Sequence, residues 1–153
     1  MIISCFEDLA AEAKQLRRKT TVAVVEAQDE HTLESVVKAV DDDIITPLLI
    51  GDSDKIKKIL DDVGANASKH AIIHSTGAHE SLKRAADLIK AGAVSAIMKG
   101  GLESGDFIKA LLKREYDLLE EETISLAGLF MPPKYHKMFA VSDMGVIMRP
   151  NLK

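Results

Sequence analysis

The feature that most constrains this chain is an alternation: short β-branched apolar runs, each followed by a stretch whose apolar residues recur every three or four positions. TTVAVVEA (Thr20–Ala27), ITPLLIG (Ile45–Gly51), HAIIHS (His70–Ser75) and VSAIMK (Val94–Lys99) are the runs. Nearly continuous apolar character is what a strand covered on both faces requires. Between them, Leu33, Val36, Val37 and Val40, then Ile56, Ile59, Leu60 and Val63, then Leu82, Ala85, Ala86 and Ile89 form apolar stripes of helical period. Asp29 is placed to accept the free N–H groups of the first of these helices, and Gly64 and Gly92 close the other two. An earlier helix is read from Phe6, Leu9, Ala10, Ala13 and Leu16, with the basic Arg17, Arg18 and Lys19 suiting its negative C-terminal end. A short last helix carries Phe107, Ile108, Leu111 and Leu112 and begins near Ser104. This βαβα order with right-handed crossovers predicts an α/β fold, a three-layer α/β/α sandwich around a mostly parallel sheet. Pro47, which has no N–H to give a ladder, demotes the start of the second strand.

After Glu122 the rhythm changes. TISLAGLFM (Thr123–Met131) and KMFAVSDMGVIM (Lys137–Met148) are strand-like runs joined by Pro132, Pro133, Lys134, Tyr135 and His136, with no helix between them, which predicts an antiparallel hairpin. Residues 1–122 therefore read as one α/β domain and 123–153 as a separate hairpin segment. A chain of 153 residues holds one sizeable core and hardly two, at roughly 100–200 residues per domain. With aromatics at 4% and no Trp, that core is built from Val, Ile, Leu, Ala and Met. A net charge of −4, with Lys and Arg scattered among Asp and Glu, offers no basic face to a phosphate backbone and excludes nucleic acid as an expected partner. Cys5 is the single cysteine, so no intrachain disulfide forms and a reducing compartment is the simpler reading. Glu7 and Asp8 fall where a signal peptide needs apolar residues, and no run has the length of a membrane span. The expectation is a cytoplasmic protein without a membrane partner.

The stretch most suggestive of chemistry is AIMKGGLESGDFIKALL (Ala96–Leu112), where a strand ends in Lys99-Gly100-Gly101 and a helix follows. Glycines let backbone N–H groups approach an anion, a helix N-terminus adds partial positive charge, and Lys99 adds a full one. The carboxyl end of a parallel strand is where such folds bind ligands. The spacing matches neither a Walker loop nor a dinucleotide fingerprint, so the stretch reads equally as a phosphate-binding or a solvated turn. Ser104 reads as a helix N-cap or a ligand contact, and Asp106 as a first-turn acid that favours the helix dipole. Asp143 lies within the apolar second run of the hairpin, where a carboxylate needs a partner or a cleft. His70, His74 and His79 have no acidic or cysteine partner at zinc spacing, so no metal is expected. No G-x-S-x-G elbow is present, Cys5 reads as packed rather than nucleophilic, and no catalytic residue is named by spacing.

The blocks VAVVEAQDEHTLESVVKAV, ITPLLIGDSDKIKKIL, AIMKGGLESGDFIKALLKREYDL and SLAGLFMPPKYHKMFAVSDMG follow one another in the order found in phosphate butyryltransferases, from about Thr21 to Asn151. The chain resembles the N-terminal half of the phosphate butyryltransferase and phosphate acetyltransferase family. That resemblance implies the two-domain fold shared with isocitrate and isopropylmalate dehydrogenases, with this chain holding the first domain and the opening of a second domain that is largely absent. It implies a short acyl group exchanged between coenzyme A and phosphate, with the coenzyme A thioester as substrate and no bound cofactor. Most of the coenzyme A site and the catalytic base would belong to the half not represented here. The family's Lys-Gly turn maps onto Lys99 and Gly100, its following His/Asn-Thr positions onto Glu103 and Ser104, and its hairpin Asp onto Asp143. Glu103 departs from the pattern, since an acid beside a phosphate pocket repels the ligand, and Ile147 stands where the family has Asn.

Lys99, Gly100, Gly101, Ser104 and Asp143 are thus the expected phosphate and substrate residues, and acyl-CoA and phosphate the expected small-molecule partners. A homo-oligomer is expected, because the hairpin from Thr123 to Met148 would expose an apolar face if it stood alone. The competing reading is a non-catalytic phosphate or acyl-phosphate binding or assembly module.

Overall fold

The structure, a computed structural model, describes residues 3–15, 19–118 and 124–143. The chain divides into two compact units, Arg17–Glu120 and a second made of Met1–Leu16 with Glu121–Lys153. Leu16, Arg17 and Arg18 of the first predicted helix end, Thr123, and residues 144–148 of the second hairpin run, with Ile147 among them, lie outside the described residues.

In the larger unit, strands β1 (Thr20–Val25), β2 (Ile45–Gly51), β3 (Ala71–His74) and β4 (Ala96–Lys99) form one sheet in the order β3-β2-β1-β4, with every pairing parallel. Helices α2 (Glu30–Asp41), α3 (Ser53–Asp62), α4 (Ala78–Lys90) and α5 (Ser104–Leu111) follow the strands in turn. The period-two alternation of a strand divides β1 between two cores. Val22 and Val24 pack with Leu33 and Val36 of α2 and with Ile56 and Leu60 of α3. Ala23 and Val25 face the other way, onto Leu82, Ala85 and Ala86 of α4 and Ala110 of α5. The result is the expected three layers, with α2 and α3 on one face and α4 and α5 on the other. Each side chain as fully enclosed as Leu33, Leu49, Ile56 or Leu60 contributes about 1.5–3 kcal/mol.

Local signals act as read. Asp29 caps α2, its Oδ1 accepting from the Thr32 N–H at 2.9 Å and the Thr32 hydroxyl at 2.6 Å. Gly64 and Gly92 take left-handed conformations after α3 and α4, with φ of 75° and 67°. Pro47 is a correction: β2 keeps its full length from Ile45, with Pro47 buried opposite Val22. The reason is that β3 pairs with β2 only from Leu48 onward, so at Pro47 the ladder on that side has not yet begun.

In the smaller unit, α1 (Phe6–Gln15) is one element, and β5 (Ala127–Phe130) and β6 (Phe139–Ser142) pair antiparallel as predicted, Phe130 opposite Phe139. Their rings lie 5.9 Å apart, and Tyr135 from the connecting loop meets Phe139 edge-on at 5.9 Å. No helix among the described residues is long and apolar enough to cross a membrane.

Candidate functional site

The chain moves one way across the sheet from β1 to β3, then returns past β1 to lay down β4. The direction therefore reverses between β1 and β4, and the crevice outside the carboxyl ends of those strands is where an open parallel sheet places a ligand. Two turns meet there: Glu26-Ala27-Gln28 leaving β1, and Lys99-Gly100-Gly101 leaving β4.

The glycine turn lies against the end of β1. The Gly100 N–H donates to the Val25 carbonyl and the Gly101 N–H to the Glu26 carbonyl, each at 2.8 Å, and the Leu102 N–H donates to the Gly100 carbonyl at 2.8 Å. The two glycine N–H groups expected to face an anion are thus engaged with β1. Gly100 is buried, and a Cβ on it would lie 2.2 Å from the Glu26 carbonyl oxygen. Close backbone approach, rather than ligand contact, accounts for the absence of a side chain at this position.

Lys99 is half-buried, and its Nζ donates to the Leu102 carbonyl at 2.9 Å and the Gly100 carbonyl at 3.4 Å. An ammonium has three N–H bonds, so one remains for a ligand, and no described carboxylate forms an ion pair with it. Lys99 acts on Asp29, whose carboxyl is held below the usual carboxylate range first by the Thr32 hydroxyl, then by the Thr32 N–H, with Lys99 adding a smaller attraction.

Ser104 is a correction. It is the first residue of α5, and Glu103 occupies the N-cap with extended backbone and no side-chain cap bond. The first helical bond runs from the Phe107 N–H to the Glu103 carbonyl at 3.0 Å, which sets the boundary one residue earlier than the serine suggests. Ser104 is exposed at this N-terminus, and Asp106 lies in the first turn with Lys109 3.8 Å away. Asp143 follows the last residue of β6 in a left-handed conformation (φ 60°), its N–H donating to the Leu126 carbonyl at 2.6 Å. Its Oδ1 is shielded from solvent with no hydrogen-bond partner among the described residues. Asp143 belongs to the smaller unit and the Lys99 turn to the larger one.

The histidines are occupied separately. His74 Nδ1 lies 3.3 Å from the Ser53 N–H at the head of α3, and His79 lies 3.5 Å from Glu115. His70 is held below its usual range by burial. Among the described residues no three His, Cys, Asp or Glu side chains gather into a metal site. Cys5 is half-buried at the head of α1, its Sγ accepting the Asp8 N–H at 3.4 Å.

No protein-family model matches the chain. A phosphate acetyltransferase of Rickettsia typhi is 33% identical over 131 residues, which is 86% of this chain. A phosphate butyryltransferase of Clostridium acetobutylicum is 28% identical over 152 residues, 99% of this chain. By sequence, the chain is homologous to the phosphate acetyltransferases and butyryltransferases. Among solved structures, the EutD phosphotransacetylase of Staphylococcus aureus superposes with a TM-score of 0.70 at 17% identity over 95% of this chain. A branched-chain phosphotransacylase of Enterococcus faecalis gives 0.61 at 20% identity over 86%. These two likenesses establish that the fold is shared. The chain spans 38% of the Rickettsia protein and 50% of the Clostridium protein, about half the length of such phosphate acyltransferases or less.

Sequence reasoning about this homologue missed a polar group at the same edge of the sheet. The Glu26 carboxylate accepts from the Ser81 hydroxyl at 2.5 Å and from the Gln28 amide at 2.9 Å, and Ser81 lies 2.7 Å from Ser75. A signal was present: Ser81 stands one turn before Ala85 on the apolar stripe of α4, and Glu26 interrupts an otherwise apolar run.

Proposed function

We propose that this chain forms part of a phosphate acyltransferase that converts a short acyl-CoA and phosphate into an acyl phosphate and coenzyme A. The observation that carries the reading is homology to phosphate acetyl- and butyryltransferases over 86% of the chain or more. A phosphate oxygen attacks the thioester carbonyl, the tetrahedral oxyanion collapses, the C–S bond breaks, and the proton carried by the phosphate passes to the departing thiolate. Protein dipoles and cations stabilise the charge that develops, and the chemistry needs no redox cofactor. In this reading Lys99 holds the phosphate with its remaining N–H. Gly100 and Gly101 give the turn its close seat on β1, and Ser104 adds a hydroxyl at the head of α5. Asp143 is a candidate substrate-binding residue of the hairpin, and the remaining half of the enzyme supplies the catalytic base and most of the coenzyme A site.

Two further parts of the proposal concern the protein's setting. A cytoplasmic location is consistent with the single, unbridged Cys5. A homo-oligomer is supported by the exposure of Leu126, Leu129, Phe130, Met131 and Phe139 along the hairpin, a ribbon that is marginal alone.

The test is thiol release from acetyl-, propionyl-, butyryl- and branched acyl-CoA in the presence of phosphate. Release by the full-length protein carrying this sequence is the expected result, with the chain alone binding phosphate but not turning over. Absence of release with every acyl-CoA overturns the enzyme reading, and phosphate binding without release in the full-length protein supports the non-catalytic module.

A further inference from the structure

The polar group beneath the Lys99 turn carries an inference that rests on the phosphate reading but names a residue it does not use. Among the described residues, Glu26 is one of the few that are not glycine and yet take a left-handed conformation, with φ of 51°. That conformation directs its two ends to different neighbours. The carbonyl packs on the Gly100 Cα and accepts the Gly101 N–H at 2.8 Å, so it seats the glycine turn. The carboxylate reaches Ser81 in the first turn of α4.

Hydrogen-bond accounting gives the bridge a direction. Ser81 is fully buried and has a single hydroxyl proton, and the oxygens around it are Glu26 Oε1 at 2.5 Å, Ser75 Oγ at 2.7 Å and the Gly77 carbonyl at 3.2 Å. A carboxylate only accepts, so Ser81 donates to Glu26 and the buried Ser75 donates to Ser81. On the other side Gln28 donates its amide N–H to Glu26 Oε2 at 2.9 Å, while its Oε1 accepts the Asp52 N–H at 3.2 Å at the end of β2. Every partner of the carboxylate among these is neutral, so it works here as a hydrogen-bond bridge and not as an ion-pair partner. The bridge ties together residues that follow β1, β2 and β3, and its backbone carries the turn that follows β4.

We propose that Glu26 is the positioning residue of the Lys99-Gly100-Gly101 turn. By bridging Ser81 and Gln28 it holds its own backbone left-handed, which fixes the carbonyl that seats Gly101 and hence the place from which Lys99 meets an anion. Glu26 does not touch the ligand.

The experiment uses the chain itself. Amide hydrogen exchange of Gly101 reports the seating of the turn, and titration with inorganic phosphate, followed by the amide resonances of Gly100 and Gly101, reports anion binding. Glu26→Ala removes the bridge, and Gln28→Glu sets two carboxylates against each other. The exchanged pair Glu26→Gln with Gln28→Glu restores the bond between the two side chains with donor and acceptor reversed, while the Ser81 hydroxyl and the Asp52 N–H still find an oxygen to donate to. Each single variant is expected to speed Gly101 exchange and weaken phosphate binding by about tenfold, the equivalent of one net hydrogen bond, and the double variant to return both toward wild type. Amides remote from the turn, such as that of Val36 in α2, should keep wild-type exchange in each variant, which separates loss of the turn's seat from general destabilisation. Unchanged exchange and phosphate affinity in a folded Glu26→Ala, or failure of the swap to rescue Gln28→Glu, overturns the proposal. Should Glu26→Ala not fold, the Gln28→Glu pair decides alone. Absence of any phosphate-dependent shift in the wild type, with the exchange effects intact, removes the anion reading and leaves the positioning of the turn standing.

Discussion

Gly100→Ala is the substitution whose cost the structure specifies most directly. An alanine Cβ at this position would lie 2.2 Å from the Glu26 carbonyl oxygen, 2.9 Å from the Glu26 carbonyl carbon and 2.9 Å from the Val25 carbonyl oxygen. All three are backbone atoms at the end of β1, which is paired on both sides, so no flexible side chain can give way. Relief requires lifting the turn off the strand, which strains the Gly100 to Val25 and Gly101 to Glu26 hydrogen bonds, both at 2.8 Å. Overpacking costs about 1–3 kcal/mol and the two strained bonds about 1 kcal/mol each, so even at the lower end the expected loss is roughly 3 kcal/mol. For a protein of this size that lowers the melting temperature by roughly 6–12 °C. Gly101→Ala is the internal control, because its Cβ would meet only the Glu26 oxygen at 3.6 Å and the Asp29 Cβ at 3.7 Å. Melting followed by circular dichroism should separate the two variants, with Gly101→Ala within about 2 °C of the wild type. A Gly100→Ala protein that melts with the wild type would refute the argument that close seating on β1, and not ligand contact, selects glycine there.

Three other outcomes follow from the same geometry. Lys99→Met, which keeps the aliphatic stem and removes the charge, should raise the phosphate dissociation constant roughly tenfold to a hundredfold, from the ~1.5–3 kcal/mol of a charge-assisted contact, in a phosphate titration of the folded variant. Glu80 is lowered from its ordinary 4.5 to about 2 by the Thr76 N–H, then by Arg84 and the Thr76 hydroxyl. Because the folded value is depressed, its contribution is complete above the ordinary value of 4.5 and is lost as pH falls through about 2, which an NMR titration of its carboxyl should show and Glu80→Gln should abolish. Light scattering after size exclusion should give more than one chain per particle, and Leu129→Lys, at an exposed hairpin position, should shift it toward monomer; a wild-type monomer at moderate concentration would count against the oligomer.

Much of the fold was legible because its signals are local. The apolar run from Ile45 to Gly51 has the observed limits of the second strand, although Pro47 argued against its start. Asp29 was assigned as a cap from its place before a helical stripe, and it accepts from the Thr32 N–H as that role requires. Ser104 shows where such reasoning slips: residue preference favoured a serine cap, but the carbonyl that opens the helix belongs to Glu103. The candidate site was less legible. Its position after β4 could be read from strand-turn-helix order, whereas the use of the Gly100 and Gly101 N–H groups could not, since their acceptors, Val25 and Glu26, lie far back in the chain.

The alternation of apolar runs and stripes therefore determined, by itself, that this protein forms strands and crossover helices in sequence order, and that a hairpin follows them. Periodicity, capping and turn chemistry act over a few residues, and the burial they demand has few architectural solutions. Only the tertiary structure decided the order β3-β2-β1-β4, and with it that the ends of β1 and β4 meet. It also decided that Glu26 would find Ser81, a partner 55 residues away. Nothing in the residues around Glu26 encodes that contact, because it exists only once the sheet has brought α4 over β1.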